Sequence, residues 1–504
     1  MTVKSVLTVP ARRKSQRLQA VLKRAIAILL ALFAIAFGTR VWQVVRGPAQ
    51  PIDHPLVIND VSQLNPIRVG RIIVPTTTEE IVAAVREHAG PISIGGARHS
   101  MGGQIATDGA LHIDMRRFNR IRQFSPEART ITVEAGATWR QIQEAIDPSD
   151  MSVRIMQSYA NFTVGGSLSV NGHGRYVGLG PIVNGVKSFT LVLADGSLLE
   201  ASPARNAEIF FGAIGGYGAL GVIIEATLEL TDNASVKRQT QVLPTAAYKQ
   251  YFFEHVRGRE SPVLHSANIF PDDYATLRAV TLSRTSDPVT STARLLPTAG
   301  AYRLNRLAFW IAAEWPFGKL IQRRIVDPLY FVGEPVTWRN YEASRDVAEL
   351  EPASRDTSTY LLQEYFVPVE RFDEFASQMR RILIRHDVNC VNVSIRHATP
   401  DPGTLLAWAR SEVFAFVIYY KQGTDEAAQE AVGVWSRELI DAALSTGGSY
   451  YLPYQLHATE DQFRRAYPRA AEFLALKQRL DATDKFRNRL IDKYLRPPAA
   501  PGGR

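Results

Sequence analysis

Two glycine-bearing loops, far apart along the chain, constrain the fold of this sequence more than any other feature. The first loop, residues 94–104, reads IGGARHSMGGQ and follows a short apolar segment. The second loop, residues 163–174, reads TVGGSLSVNGHG. Glycine permits backbone conformations in which successive N–H groups converge on an anion. Each loop alone is weak evidence, but a fold that brings both together would enclose one diphosphate-bearing ligand.

The segments around these loops are typical of an α+β fold. Residues 68–114 read as strand, helix, strand, loop and strand, and Thr78 is expected to cap the helix. Residues 130–201 contain a second such unit, which ends in a hairpin on Asp195-Gly196. From about residue 236 onwards the helical segments become longer, which predicts a separate domain.

A third glycine motif, Gly216-Tyr-Gly218-Ala-Leu-Gly221, matches the GxGxxG pattern of dinucleotide-binding folds. That pattern requires a helix directly after it, so that a pyrophosphate lies at the helix N-terminus. Residues 222–230, VIIEATLEL, instead alternate in polarity and are rich in β-branched residues, which predicts a strand. A Rossmann site is therefore disfavoured here.

The excess positive charge of the chain is confined to its N-terminus. Of 58 Lys and Arg residues, nine lie in the first 50 positions, where there is no acidic residue. The remaining 49 balance the 49 Asp and Glu residues, so the body offers no basic face for nucleic acid. The single cysteine, Cys390, excludes an intramolecular disulfide, and the spacing of the histidines indicates no metal site.

An apolar run, AIAILLALFAIAF at 25–37, follows the basic tail. The run alone is too short to cross a bilayer as a helix, but extension to Val45 supplies the length if Arg40 snorkels. We expect a transmembrane anchor or, alternatively, a signal peptide, and Arg40 and Arg46 favour the anchor because they sit badly just after a cleavage site. The body would then be membrane-anchored outside the cytoplasm, on the periplasmic side.

Together, the loops and their order resemble the FAD-linked oxidases of the vanillyl-alcohol oxidase and p-cresol methylhydroxylase (PCMH) type. Gly95–Ser100 matches the GGxxHS-like loop of that family, 164–174 its second flavin loop, and 215–224 an adenine-side segment. The resemblance implies an α+β fold, with a two-subdomain PCMH-type FAD-binding domain followed by an α+β cap (substrate) domain. The expected organisation is a basic cytoplasmic tail (1–24), an anchor (25–45), a linker (46–65), the FAD-binding domain (66–235), the cap (236–449) and a C-terminal segment that closes the active site (450–496).

The resemblance also implies FAD as the cofactor and a set of residues that bind it. In related proteins the histidine of the first loop is bonded to the flavin 8α-methyl group, so a covalent link is expected at His99; a hydrogen bond from His99 is the alternative, and His173 is the competing candidate. Arg98 would contact phosphate or remain an exposed loop arginine. The expected cofactor-binding residues are Gly95, Gly96, Ala97, Arg98, His99, Ser100, Gln104, Val164, Gly165, Gly166, Ser167, Asn171, Gly172, His173, Gly174, Gly216, Gly218, Gly221 and Ile223.

The distal half is most similar to the sugar-lactone oxidases (D-arabinono-1,4-lactone and L-gulono-1,4-lactone oxidases) and to the alditol oxidases. Residues 363–368, QEYFVP, resemble a strand of their cap, and residues 391–396, VNVSIR, resemble the strand that presents a Glu-x-Arg pair to substrate. Arg396 fits this pattern, but Ser394 stands in place of the glutamate, which puts alditol specificity in doubt. Residues 451–457, YLPYQLH, occupy the place of the segment that closes the active site.

The implied reaction is oxidation of a CH–OH donor, in which a flavin accepts hydride and the protein removes or shares the hydroxyl proton. Arg396 is expected to orient the substrate or stabilise an alkoxide. His457 is the expected base, and Tyr454 and Gln455 are expected to bind hydroxyl groups. The alternatives are a surface ion pair for Arg396, a helix-proximal contact with Glu460 for His457 and a core position for Tyr454.

The expected function is therefore an FAD-dependent oxidoreductase that acts on a small molecule, a sugar lactone or polyol, and is reoxidised by oxygen, a quinone or a cytochrome. Residues 98–104 are almost as similar to the cytokinin dehydrogenases, so amine oxidation is one alternative, and a flavin-binding protein without turnover is another. Residues 303–331 combine aromatic and basic side chains; they are expected to pack into the cap, with a membrane-surface helix as the alternative.

Overall fold

The computed structural model of the chain describes residues 55–298 and 302–496 and, near the N-terminus, residues 23–24, 28, 32 and 34–46. These N-terminal residues are helical, and we call the continuous stretch 34–46 α1. The predicted basic tail therefore lies outside the described residues except for Lys23 and Arg24, and so do residues 47–54 of the predicted linker.

The first layer of the body is a small parallel sheet that carries the first glycine loop at its edge. Its strand order is β3 (Arg71–Ile73), β5 (Leu111–Asp114) and β4 (Ile92–Gly95), and a short pair, β1 (Val57–Ile58) and β2 (Ile67–Arg68), precedes it. Helix α2 (Thr78–Glu87) connects β3 to β4 and is capped by Thr77 and Glu80 in a capping box, one residue earlier than expected. The first loop thus begins where β4 ends.

The second layer is a six-stranded antiparallel sheet that carries the second loop. The strand order is β10 (Leu198–Ala201), β9 (Val186–Val192), β11 (Val222–Asp232), β7 (Thr130–Glu134) and β6 (Ile121–Ser125), with β8 (Met151–Val153) also beside β11. Strands β9 and β10 form the hairpin expected on Asp195-Gly196. Residues after Gly221 form β11 and no helix, which confirms that the GxGxxG motif is not a Rossmann site. The helices of this layer are α3 (Trp139–Ile146), α4 (Val164–Ser169) and α5 (Ala207–Ala213).

An eight-stranded antiparallel sheet forms the distal domain. Its strand order is β15 (Val336–Trp338), β12 (Ser235–Pro244), β14 (Thr276–Arg284), β13 (Pro262–Ile269), β17 (Cys390–Ala398), β18 (Val413–Gly423), β16 (Ser358–Pro368) and β19 (Ser449–Tyr450). Helices α6 (Tyr248–His255), α10 (Arg339–Glu342), α11 (Phe372–Arg385) and α12 (Glu426–Ser445) belong to this domain. Helices α7 (Arg303–Glu314), α8 (Gly318–Ile321) and α9 (Asp327–Tyr330), with a π-helical turn at Gln322–Val326, form one further segment.

The C-terminal segment returns to the first layer. It consists of α13 (Glu460–Ala466), α14 (Ala470–Leu480) and α15 (Arg489–Tyr494). The backbone N–H of Ile92 on β4 donates to the carbonyl oxygen of Lys485 at 2.6 Å, and the N–H of Arg487 donates back to Ile92 at 2.9 Å. The buried ammonium of Lys477 donates to Asp481 at 2.8 Å and to the carbonyl oxygen of Phe486 at 3.0 Å. These bonds fix the end of the chain against the sheet that carries the first loop.

The predicted α+β fold class is confirmed, but the transmembrane helix predicted at 25–45 is not found in the described part of the chain; residues 25–27, 29–31 and 33 of it lie outside that part. Among the residues that the structure describes, no helix has both the length and the hydropathy needed to cross a bilayer. Apolar side chains of α1 instead contact the body: Val44 is buried, and the ring of Phe37 lies 5.3 Å from that of Trp315. The predicted localisation, with the body anchored to a membrane on its periplasmic side, depended on this helix and is contradicted by the same finding.

Candidate active site

The fold brings the two glycine loops into contact. A Cβ atom on Gly96 of the first loop would lie 2.2 Å from Oγ1 of Thr163, the residue that precedes α4 in the second loop. The rings of His99 and Phe162 lie 4.5 Å apart at the same junction. A side chain at position 96 would displace Thr163 or the loop that carries it, so the close approach of the loops requires a small residue here.

A large cavity, about 1190 Å³ in volume, opens between these loops and the distal sheet. Both loops, the segment around Gly218 and the strands β13, β16, β17 and β18 contribute to its lining. Of the cofactor-binding residues expected from the sequence, those that line it are Gly96, Ala97, Arg98, His99, Ser100, Gln104, Gly165, Gly166, Ser167, His173, Gly218, Gly221 and Ile223.

The remaining residues of that expected set lie behind the cavity wall. Gly95 packs against the ring of His112, and Gly216 against the carbonyl oxygen of Gly212. The side-chain amide of Asn171 donates to Asp401 at 2.7 Å. These residues pack on the side of the loops that faces away from the cavity and fix the loop conformation. The expected residues placed in this way are Gly95, Val164, Asn171, Gly172, Gly174 and Gly216.

His99 presents an unsatisfied ring nitrogen beside the cavity. Its Nδ1 atom is buried and has no hydrogen-bond partner in the structure. Burial and, secondarily, the charge of Arg355 lower the pKa of His99 to about 4. The imidazole is therefore neutral at neutral pH, which is the state in which a ring nitrogen can act as a nucleophile or ligand.

Arg98 does not project freely from the first loop. It adopts a left-handed backbone conformation, with a φ of 62°, and donates to Oδ2 of Asp114 at 3.1 Å. Asp114 ends β5, so this ion pair attaches the loop to the first sheet. The alternative of an exposed loop arginine is thus not what the structure has.

The C-terminal segment is bonded directly to the first loop. The side-chain amide of Gln104 donates to the carbonyl oxygens of Leu452 and Tyr454, at 2.6 and 2.8 Å. Gln455 donates to the carbonyl oxygen of Met101 and does not line the cavity. These bonds place the side chain of Tyr454 at the cavity and give Gln455 a structural contact in place of the expected contact with substrate.

A buried polar cluster faces the cavity from beneath Tyr454. Nε2 of His173 lies 2.6 Å from Oε1 of Glu364, and these side chains are only 4% and 2% exposed. The hydroxyl of Tyr454 donates to the other oxygen, Oε2, at 3.1 Å. Burial and then Glu364 raise the pKa of Tyr454 far above its usual value, an effect that Arg396 opposes. Tyr454 is therefore a neutral phenol at any working pH.

Arg396 reaches the cavity from β17. Along this strand Val393 and Ile395 are buried, whereas the alternate residues Asn392, Ser394 and Arg396 line the cavity. The Nε atom of Arg396 is buried and has no hydrogen-bond partner. A buried guanidinium N–H without an acceptor is costly, so this position favours a ligand that supplies one.

His457 lies elsewhere, which corrects its expected role as the base. Its ring packs against α12, where Nδ1 would lie 3.3 Å from a Cβ on Gly433, and it does not line the cavity. Burial, followed by the charges of Lys493 and Arg437, lowers its pKa to about 4. The turn between Tyr454 and His457 points the two side chains in different directions.

Sequence reasoning missed several residues that line this cavity. Glu364 belongs to the segment 363–368, which was interpreted only as a cap strand, although a carboxylate within an apolar strand is itself a signal of a buried polar contact. Three arginines that line the cavity, Arg175, Arg345 and Arg355, lie in segments with no recognisable motif. Further polar residues that line the cavity include Tyr159, Arg175, Arg345, Glu349, Arg355 and Tyr451.

Three observations fit FAD to this cavity. Glycines of both loops, Gly96, Gly165 and Gly166, line the cavity, and a glycine has no side chain to separate its backbone from a bound group. His99 offers an unpartnered nitrogen at the loop junction. The chemistry of the lining, backbone amides and hydroxyls at the loops and apolar side chains beyond them, suits a diphosphate joined to an aromatic ring system.

Comparison with known proteins agrees with this fit. Residues 70–202 match the family of FAD binding domains, a region that contains both glycine loops. The expected PCMH-type FAD-binding domain is therefore confirmed, and so is FAD as the group it binds.

Relatives of the chain are oxidoreductases. It is 24% identical to the L-gulonolactone oxidase of Bos taurus over 433 residues, which are 83% of this chain and 93% of that protein. It is also 24% identical to the decaprenylphosphoryl-beta-D-ribose oxidase of Mycolicibacterium smegmatis over 456 residues, again 83% of this chain and 93% of the relative. An uncharacterized oxidoreductase from the fasciation locus of Rhodococcoides fascians is 31% identical over 202 residues, but the alignment covers 37% of this chain and 46% of that protein.

Gly96→Ala is expected to abolish retention of FAD, because the new methyl group would collide with Thr163. The measurement is the ratio of flavin to protein absorbance after gel filtration. The double variant G96A/T163A removes the colliding oxygen, which caps no helix N–H, and should recover much of the flavin. Gly185→Ala is the control, because its nearest neighbour would be 3.5 Å away, an ordinary contact. Full flavin content in Gly96→Ala would show that the loops do not enclose the cofactor.

Proposed function

We propose that this FAD-dependent oxidoreductase, whose residues 70–202 match an FAD binding domain, oxidises a CH–OH group of a sugar lactone or polyol. One observation carries the proposal: Arg396 and the cluster of Tyr454, Glu364 and His173 share a cavity with both glycine loops. A flavin bound there supplies the acceptor for the hydride that leaves the carbinol carbon. The chain itself must bind the donor and take its proton.

Tyr454 is suited to take that proton. Its own O–H bond points to Oε2 of Glu364 at 3.1 Å, so the lone pairs of the phenol oxygen remain for a donor in the cavity. As the substrate O–H bond breaks, its proton passes to the oxygen of Tyr454, and the proton of Tyr454 passes to Glu364. Direct ionisation of Tyr454 is not required, which agrees with its raised pKa.

His173 positions the carboxylate for this transfer. Its Nδ1 lies 3.3 Å from the carbonyl oxygen of Gly174, which can only accept, so Nδ1 carries a proton. Nε2 of the same ring lies 2.6 Å from Oε1 of Glu364. The bond turns Oε2 toward Tyr454 and holds it there.

Arg396 binds the oxygen from which the proton leaves. Its guanidinium is always charged and has an unpartnered donor, Nε. Negative charge that develops on the substrate oxygen as its proton leaves is stabilised by such a donor in a low-dielectric site. With Ser394 in place of a carboxylate on the same face of β17, no acidic neighbour on that strand competes for Arg396.

The polarity of the lining supports a hydroxylated donor. Asn392, Ser394 and Tyr159 add amide and hydroxyl groups around Arg396. The two long alignments, with L-gulonolactone oxidase and decaprenylphosphoryl-beta-D-ribose oxidase, extend through the distal domain. Both names denote proteins that act on sugar derivatives, and this supports the same substrate class here.

A covalent link between His99 and the flavin is part of the proposal. The neutral imidazole, its buried Nδ1 without a partner and its place at the loop junction support it. A covalent bond keeps the cofactor in place when the cavity opens to exchange substrate.

Anaerobic addition of D-arabinono-1,4-lactone, L-gulono-1,4-lactone or an alditol should bleach the oxidised flavin, because a CH–OH donor reduces it. Isopentenyladenine is the comparison for amine oxidation. The absorbance spectrum of the holoprotein reports the result. Bleaching by isopentenyladenine alone would replace the proposal with amine oxidation, and a flavin that no donor bleaches would indicate a protein without this activity.

Glu364→Gln should slow flavin reduction by a good donor roughly 100-fold or more, the usual contribution of general base catalysis, because an amide cannot accept the proton. Tyr454→Phe should act similarly, and stopped-flow absorbance measures both rates. His457→Gln is the control; it lies outside the cavity and should leave the rate unchanged. Equal rates in all variants would exclude the proposed proton path.

Wild-type protein precipitated with acid should retain its yellow colour, whereas His99→Asn should release free flavin into the supernatant. His173→Asn tests the competing histidine and should keep the colour in the pellet. Fluorescence of the precipitate and mass spectrometry of flavin-bearing peptides locate the bond. Colour in the wild-type supernatant would mean that His99 only contacts the cofactor.

A further inference from the structure

The cavity extends well beyond Arg396 and Tyr454. Its outer part lies between the distal sheet and the segment 302–335, which contains α7 to α9. We call this segment the outer wall. The residues of the outer wall that line the cavity are mostly apolar and include Leu307, Phe309, Ile311, Val326, Leu329 and Phe331. From the sheet, Val280 and Leu282 on β14 face them.

The outer wall is held in place by contacts on its inner side. Ala312 and Ala313 of α7 are buried against Tyr419 and neighbouring residues of the sheet. Arg323 pairs with Asp272, and Arg278 pairs with Asp327, each at 2.6 Å. The position of its other apolar side chains is therefore fixed by the fold.

At the mouth of the cavity the outer wall leaves large apolar side chains in water. Leu304, Leu329 and Tyr330 line the cavity and are nevertheless 79%, 69% and 47% exposed. Ile325 and Val332, close to them in sequence, are 54% and 70% exposed. Scattered exposed leucines are ordinary, but a run of them that continues a ligand cavity marks a binding surface.

The described part of α1 does not cover this mouth. Its Phe37 contacts Trp310 and Trp315, and neither tryptophan lines the cavity. None of the residues 34–46 lines the cavity, so within the described part of the chain α1 leaves the mouth accessible to a ligand.

The two ends of the cavity differ in chemistry. The inner end contains Arg175, Arg355 and Arg396 together with hydroxyl and amide groups. The outer end is lined mainly by apolar side chains, and the charged Arg323 and Asp327 of its lining are held in ion pairs. A free lactone or polyol satisfies the inner end and has no group that reaches the mouth. An amphiphile satisfies both, because its tail removes the exposed apolar side chains from water.

We propose that the substrate is an amphiphile whose hydroxylated head lies at Arg396 and Tyr454 and whose hydrocarbon tail lies along the outer wall, past Leu329 to Leu304. This inference rests on the proposed function and narrows its substrate class to sugars or polyols joined to a lipid-like chain.

Equilibrium binding of methyl, hexyl and octyl β-D-glucosides, below their micelle concentrations, tests the tail. Titration calorimetry on the holoprotein should show an affinity that rises with chain length, by up to roughly fourfold for each methylene removed from water. In the double variant L304S/L329S the dependence on chain length should be much weaker, while methyl glucoside binds as before. Leu198→Ser, at an exposed apolar position on β10, is the control and should retain the wild-type dependence.

Equal affinities for all three glucosides in the wild type would overturn the inference, and so would an unchanged series in L304S/L329S. Because binding is measured without turnover, the outcomes separate the two proposals. If free lactones bleach the flavin but the affinity does not depend on tail length, the proposed function stands and the proposal of an amphiphilic substrate is rejected. If longer tails bind more tightly but no glycoside or lactone reduces the flavin, the tail site stands and the proposed oxidation is rejected.

Discussion

The close approach of Gly96 to Thr163 is the contact on which the site depends. Two loops from different sheets meet there with 2.2 Å between an oxygen and the position that a side chain would occupy. Gly96 and Thr163 both line the cavity at this junction, and the ring of His99 packs there against that of Phe162. The C-terminal segment then bonds to the first loop through Gln104, which is how a residue as distant in sequence as Tyr454 comes to face the same cavity. Each later element of the site is placed relative to this junction.

The sequence predicted the parts of the site that local chemistry dictates. Glycine is needed where loops meet, so both loops were identified, and the alternating pattern after Gly221 correctly indicated strand β11. The sequence analysis was wrong where the direction of a side chain depends on tertiary contacts. His457 and Tyr454 are three positions apart in an irregular segment, and nothing local tells which of them faces the cavity. The same holds for the apolar run near the N-terminus: its described end packs Val44 and Phe37 against the body, a contact that hydropathy does not reveal.

Strand periodicity supplies the information that motifs lacked. On β17 the alternation of buried and half-buried residues selects Asn392, Ser394 and Arg396 as one face, and on β16 the same period places Leu362 and Glu364 together. Neighbouring strands β17, β18 and β16 of one sheet thus present Arg396 and Glu364 to the same volume. The two-residue period of β16 therefore identifies Glu364 as a residue of the cavity face, whereas a search for known motifs does not.

The cost of burying Glu364 argues that the cluster has a function. A carboxylate at 2% exposure loses its hydration, and a buried pair is often less stable than apolar residues of the same volume. Position 364 lies on a strand whose other residues are mostly apolar, so a leucine there would fit the sheet more simply. The carboxylate instead uses one oxygen for His173 and the other for Tyr454, and Tyr454 lines the cavity. A group held only for structure has no need of a partner at the cavity surface, whereas a proton acceptor does.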